Sequence, residues 1–318
     1  MPIPTYEKMI AKQTLNRVKE PHMPFDWSIN PYRGCFHGCS FCYARATHKF
    51  LDMEADDSFQ HHIFIKENAA EALERQLAKL AIKYGGHKQA VARHVGLVAI
   101  GTATDPYQPI EGKKMLTRKC LEVLAKYQIP TTVTTRSPLV LRDLDLFREM
   151  NIVSINISVS TLDNEICRRL EPGASYPARR LEIVRQLVDN GVPAGIFMAP
   201  ILPCLTDTEI ELENLIRAAQ QHQAHFVSPS VLRLAPEVKG WFFKMIKQYD
   251  PHLLSAYMEL YPGAYPNSAY VDSLMNRVHS LLDKYGFKGE APERQYSRKK
   301  VARSDESMSQ GEQLSFSF

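Results

Sequence analysis

The segment NPYRGCFHGCSFCYAR, residues 30–45, sets Cys35, Cys39 and Cys42 in a CxxxCxxC spacing within a glycine-bearing loop. Three thiolates so close in sequence can hold one metal centre, and a cysteine-ligated iron-sulfur cluster takes four protein thiolates. Three would leave one iron open, and an open coordination position separates catalytic metal sites from closed structural ones. Gly34 and Gly38 let the backbone turn tightly around the ligands. Zinc is the competing reading, because His37 or His48 could supply a fourth ligand, whereas Cys120, Cys167 and Cys204 are scattered singly. Disulfides fit poorly: six cysteines in 318 residues, without a signal-peptide pattern, are no secreted scaffold.

Further reactive groups fall just after predicted strands. GTATDPYQPIE crowds Thr102, Thr104, Asp105 and Glu111 where a sheet would open; Asp105, before Pro106, reads both as a turn residue and as a carboxylate able to accept from a ligand ammonium or hydroxyl. Arg136, in TTRSP, can grip a carboxylate with a bidentate fork, or form a surface ion pair. Ser158 and Ser160, in ISVSTLD, fall on one side of a strand by alternation. In RRLEPG, Arg169 can pair with Glu171 as a brace. Cys204, in PILPCLTD, offers a thiol that could return a hydrogen atom to a carbon radical, although unpaired cysteines also serve as small apolar fillers.

The cysteine triad with Phe41 just before its last member, and the strings PFDWSINPYRGCFHGCSFCYAR, GTATDPYQPIE, TTRSPLVLRDLDLF, ISVSTLD and PILPCLTD, are similar to the radical S-adenosylmethionine (SAM) superfamily. Within it they resemble the spore photoproduct lyase-like, or DNA repair photolyase-like, subfamily, from Phe25 to Lys239. The resemblance implies a [4Fe-4S] cluster on Cys35, Cys39 and Cys42, with SAM chelating the fourth iron. It implies SAM contacts from Phe41 at the adenine, Asp105, Arg136 at the carboxylate, Ser158 and Ser160, and reductive cleavage of SAM to a 5'-deoxyadenosyl radical. An external electron donor would be required. One departure bears on the reaction: where spore photoproduct lyase carries a hydrogen-donor cysteine, this chain has Gly101, Thr102 and Ala103. Lesion reversal therefore does not transfer. The alternative is a metal- or cluster-binding repair accessory without radical chemistry.

The elements that must position these groups follow from periodicity. Short β-rich runs at Val95–Ile100, Thr131–Thr135, Val153–Val159, Ala194–Met198 and Phe226–Val231 alternate with amphipathic stretches, the pattern of βα units on a parallel sheet. Leu73, Leu77, Leu80 and Tyr84 share one helical face before Gly85 and Gly86; Leu181, Val184 and Leu187 share another before Asn190 and Gly191. Thr206 and Glu209 form a candidate capping box ahead of Leu212, Leu215, Ile216 and Ala219. With a strand leading into Cys35 there are six strands. Periodicity leaves an open sheet and a partial barrel equally open; the resemblance implies a partial (β/α)6 barrel of the TIM type. In both, the active site lies at the carboxyl ends of the strands.

The expected organisation is an extended N-terminal arm (1–24), the barrel (25–240), a helical C-terminal extension (241–289) and a polar, disordered tail (290–318). No apolar run reaches the roughly 20 residues that span a bilayer, so a soluble protein is expected, and the cytoplasm, which keeps thiols reduced, is its expected compartment. The net charge of +4 is too small to argue for nucleic acid by itself. Arg294, Arg298, Lys299, Lys300 and Arg303 make a basic stretch able to follow DNA phosphates, or merely a solvated face. The terminal QLSFSF, with Gln313, Leu314, Phe316 and Phe318, is similar to peptides that dock bacterial repair proteins on the sliding clamp.

Overall fold

The computed structural model describes residues 3–20, 23–288 and 291–297. In chain order the strands are β1 Thr5–Met9, β2 Asn16–Arg17, β3 Trp27–Ile29, β4 Tyr32–Arg33, β5 His62–Lys66, β6 Val98–Ile100, β7 Thr131–Thr135, β8 Ile152–Ser158, β9 Ala194–Ile201 and β10 Val227–Val231. The helices are α1 Ser58–His61, α2 Ala69–Lys83, α3 Lys88–Val95, α4 Glu111–Lys114, α5 Leu116–Tyr127, α6 Leu144–Glu149, α7 Asn164–Leu170, α8 Pro177–Asp189, α9 Glu209–Gln221, α10 Pro236–Tyr249, α11 Leu253–Leu260 and α12 Ser268–Lys284. Two 3-10 helices, Tyr43–Leu51 and Pro138–Asp143, lie among them.

Six strands run parallel in the order β10-β9-β8-β7-β6-β3, with β2 antiparallel on the β3 edge. The sheet is not closed: it is a partial barrel of the TIM type, as expected. Val133, Ile155, Ile157, Ile196 and Met198 pack outward against Leu181, Val184, Leu187, Leu212, Leu215 and Ile216 of α8 and α9. The opposite face of β7 and β8 is polar, carrying Thr132, Thr134, Ser154, Asn156 and Ser158. In the N-terminal arm β1 lies parallel on β5, and β2 antiparallel on β3.

Several boundaries differ from the sequence expectations. Val95 ends α3 rather than beginning a strand, because Val91 and Val95, one helical turn apart, are both buried before Gly96 turns the chain at φ 75. The capping box is Thr208 with Glu211; Thr206 instead accepts from the Leu202 amide at 2.8 Å. The 240/241 boundary falls inside α10. Beyond α10 and α11, α12 packs on α9 and β10 and so acts as the helix of the last βα unit. The C-terminal polar segment is partly folded. Residues 292–297 are helical, and Glu293 Oε1 accepts from Thr132 at 2.8 Å, from Asn156 at 2.6 Å and from Ser154, on the polar inner face of the sheet. Arg298, Lys299, Lys300, Arg303 and QLSFSF lie outside the described residues. No helix among the described residues is long and apolar enough to cross a membrane.

Candidate active site

Strand β4 delivers the chain into the cysteine loop. Gly34 and Gly38 both adopt left-handed backbone, φ 80 and φ 63. A Cβ on Gly34 would stand 2.6 Å from the His62 carbonyl oxygen, and one on Gly38 would stand 2.2 Å from the Gln60 side chain. Glycine is therefore needed for packing as well as for φ. The Cys35 amide donates to the Phe59 carbonyl at 2.9 Å, and Cys42 donates to Cys39 at 3.2 Å. Side chains from elsewhere then fix the loop's own polar groups. Gln60 Nε2 donates to Phe36 O at 3.1 Å, Gln108 Oε1 accepts from Phe36 N at 3.1 Å, and Thr104 Oγ1 donates to Gly34 O at 2.6 Å. Arg45, 1 % exposed, donates Nη2–H to Gly38 O at 2.7 Å and also bonds Asp56 O.

The three cysteines line one cleft at the carboxyl ends of the strands, a cavity of about 200 Å³ open to solvent on one side. Phe41, Asp105, Arg136 and Ser158 line it too, with His37, Tyr43 and Arg233. No other cysteine lines it: Cys120 and Cys167 are buried elsewhere. Among the described residues no three Cys, His, Asp or Glu side chains converge on a single metal ion, so the thiols surround a space rather than a point. His48, the other candidate zinc ligand, packs edge-on against Phe59 and lies outside the cleft lining.

Electrostatics follow from burial. The Cys35 thiol is pushed up to about 12, first by burial and then by Asp105 and Cys42. Burial also raises Cys39 well above the usual thiol range, against the pull of Arg136. Burial lowers the His37 imidazolium, with Asp105 opposing. These thiols gain from a metal, which takes them as thiolates.

Asp105 is a brace. Its Oδ1 accepts from the Tyr107 amide at 2.8 Å, the predicted turn contact, and from Thr135 Oγ1 at 2.7 Å. Its Oδ2 accepts from the Arg136 amide at 2.8 Å and faces His37 Nδ1 at 3.3 Å. Arg136 passes 6.0 Å over the Phe41 ring, its Nη2 donates to Ala199 O at 3.4 Å, and its Nε, without a hydrogen bond, faces Glu171 Oε2 at 3.5 Å. Burial disfavours the Arg136 charge, but Cys39 and Glu171 outweigh burial and raise its pKa. Glu111 belongs to the scaffold: fully buried, it accepts from Thr117 N at 3.0 Å and pairs with Arg142 at 2.7 Å.

Three placements depart from expectation. Ser160 does not share the cleft with Ser158, because β8 ends at Ser158 and the alternation stops there. Ser160 lines a neighbouring cavity and donates Oγ–H to Glu171 at 2.7 Å. Arg169 pairs with Glu165 at 2.8 Å, and Glu171 is held by Arg180 and Arg136 instead. Cys204 is exposed in a left-handed turn, φ 62, outside the cleft lining. Sequence reasoning missed Arg45, Gln60, Gln108 and Arg180. Arg45 had a signal, three residues after Cys42; the other three are set by tertiary contact alone.

A second apolar core roofs the loop. Cys39 and Phe41 pack with Leu170, Leu205 and Leu232, and with Phe242 and Ile246 of α10 and Tyr257 of α11. Tyr257 Oη donates to Pro203 O at 2.6 Å and Tyr261 Oη to Leu232 O at 3.0 Å, fastening this insert to the loops after β9 and β10.

Residues 29–216 match the family model of the radical SAM superfamily. A protein of Mycobacterium tuberculosis, itself uncharacterised, is 32% identical over 291 residues, covering 90% of this chain and 82% of the relative. A protein of Methanocaldococcus jannaschii is 28% identical over 202 residues, covering 64% of this chain and 70% of its own. Among solved structures, a mutant of spore photoproduct lyase matches with TM-score 0.64 at 16% identity, covering 88% of this chain and 79% of that chain. Another mutant, with bound AdoMet and dinucleoside spore photoproduct, matches with TM-score 0.63 at 16% identity over the same shares. The structural likeness is one of fold.

Proposed function

Because this chain belongs to the radical SAM superfamily and is an enzyme of that class, we propose that Cys35, Cys39 and Cys42 hold a [4Fe-4S] cluster and that the rest of the cleft seats SAM. The residues fit these groups. The cleft offers three cysteines, not four, two of them buried thiols disfavoured as they stand, and the Arg136 guanidinium lines the same space. When bound, the pair supplies one-electron cleavage of the SAM sulfonium to methionine and a 5'-deoxyadenosyl radical, for hydrogen abstraction from substrate. The chain's part is to bind and orient. Arg136 offers its guanidinium to the SAM carboxylate, the Phe41 face packs against the adenine, Ser158 offers a hydroxyl, and Asp105 holds Arg136 and His37 in place. The α10–α11 insert keeps water from the cluster side.

The single observation that carries this reading is the convergence of three thiols, without a fourth, on one cleft at the strand ends. Its test is anaerobic reconstitution followed by iron and sulfide analysis, then incubation with SAM and reductant. Stoichiometric iron and sulfide with 5'-deoxyadenosine formation are expected. A zinc-loaded protein that forms none overturns it and favours the non-radical accessory.

DNA or a nucleotide is the substrate class we favour, supported by the fold shared with spore photoproduct lyase and its dinucleoside complex, and by Arg233 at the cleft, 5.7 Å over the Tyr265 ring. Lesion reversal by a thiol after β6 is not part of the proposal. Gly101 has φ 93, and a Cβ there would stand 2.3 Å from Thr134 O. The free cysteines fit the reducing cytoplasm. An external electron donor and sliding-clamp docking through Gln313, Leu314, Phe316 and Phe318 complete the proposed partners; pull-down with and without 313–318 tests the latter.

A further inference from the structure

The segment RRLEPG is spent on the cysteine loop. Ser40 N donates to Leu170 O at 2.8 Å and Gly173 N to His37 O at 3.0 Å. A Cβ on Gly173 would stand 2.3 Å from Phe36 O, so loop and segment touch backbone to backbone. Between these two stitches sits Glu171, 1 % exposed. Its carboxylate takes Ser160 Oγ–H at 2.7 Å, pairs with Arg180, and faces Arg136 Nε at 3.5 Å.

Arg180 is itself 1 % exposed and fixed on other sides. Its Nε donates to Ser175 O at 2.6 Å and its Nη1 to Ser158 O at 3.1 Å. One carboxylate thus serves a buried guanidinium, that of Arg180, and a half-buried one, that of Arg136. The second, Arg136, reaches past Glu171 into the cleft that the three thiols line. We infer that Glu171 is a positioning residue that holds Arg136 against the cysteine loop and, with it, sets the charge balance that fixes the reduction potential of the cluster. This inference rests on the reading that the loop holds a cluster.

The physical reason is the low dielectric of the site. Cluster potentials respond to net charge and burial, and charges inside a protein interact far more strongly than in water. Reduction adds negative charge, so a nearby carboxylate disfavours it and a guanidinium favours it. Arg136, which lines the cleft with the three cysteines, and Glu171, 3.5 Å behind it, carry opposite charges at that site. Arg180 on the far side keeps Glu171 ionised, so that its charge is a fixed feature of the site.

The experiment is an anaerobic redox titration, followed by electron paramagnetic resonance, of the reconstituted full-length wild type, Glu171→Gln, Arg136→Gln and the double variant. Glu171→Gln is expected to shift the midpoint potential upward, Arg136→Gln downward, and the double variant to return toward wild type. If Glu171→Gln does not fold, Arg136→Gln carries the test alone through its downward shift. Full cluster content with potentials unchanged from wild type would overturn the inference and leave the functional reading standing. A wild type that takes up no cluster would overturn both.

Discussion

Arg45 is buried against the cysteine loop and donates its Nε–H to the carbonyl oxygen of Cys39 at 3.0 Å, while its guanidinium stacks 5.0 Å from the Trp241 ring. One side chain thereby ties the ligand loop to the insert that roofs it.

Replacing Arg45 by methionine removes a charged donor from buried carbonyls, each such bond being worth about 1.5 to 3 kcal/mol. A stability loss of about 3 kcal/mol is expected in the cluster-free protein, with reduced iron uptake. Lysine should restore little of either, because an ammonium cannot span the carbonyls of Gly38 and Cys39 as the fork does. Thermal melts and iron analysis check this.

Gly34 and Gly86 both have φ 80 but differ in surroundings. A Cβ on Gly34 would stand 2.6 Å from a backbone carbonyl, whereas Gly86 has nothing within 4 Å. Gly86→Ala should cost only the left-handed penalty, about 1 to 2 kcal/mol. Gly34→Ala must also move β5 or the cysteine loop, and should lose more stability together with cluster binding. Denaturant titration and iron content of the two variants separate these terms.

Burial alone would raise the Glu171 carboxyl, but Arg180, Arg136 and the Ser160 hydroxyl overcome burial and hold it down to about 2, from its ordinary 4.5. A folded value below the unfolded one means stability that is fully present above pH 4.5 and lost as pH falls toward 2. The contribution at neutral pH is on the order of 3 kcal/mol. The stability difference between cluster-free wild type and Glu171→Gln should therefore shrink steadily between pH 4.5 and 2. A difference constant across that window contradicts the assignment.

Glu293 closes the inner face of the sheet through Thr132, Ser154 and Asn156. Glu293→Ala leaves these buried groups without their acceptor, at about 1 to 3 kcal/mol. The melting temperature should fall. Cluster content should stay at the wild-type level, because Thr132 and Ser154 sit on the amino-terminal sides of β7 and β8, away from the cysteine loop.

The sequence was most legible where local chemistry decides the outcome. Thr131–Thr135 formed a strand with its predicted bounds, because β-branched residues on a buried parallel strand leave little alternative. Cys35, Cys39, Cys42, Phe41, Asp105, Arg136 and Ser158 meet in one cleft because each follows a strand, or in the case of Ser158 ends one, whose carboxyl end faces the same opening. Legibility failed where a partner distant in sequence decides. Nothing near Glu171 announces that Arg180 rather than Arg169 pairs with it; α8 brings Arg180 there. Ser160 left the cleft because a strand end cannot be placed to the residue by alternation. Glu293 looked like tail because its partners lie on β7 and β8, well over a hundred positions earlier.

The central claim is that the cleft holds a cluster with one iron left for SAM. The most direct measurement is electron paramagnetic resonance of the reduced, reconstituted protein before and after adding SAM. A [4Fe-4S] signal whose g values change on SAM addition, and which is lost in Cys35→Ala, Cys39→Ala and Cys42→Ala, is predicted. A signal indifferent to SAM, or a protein that retains only zinc, would contradict it.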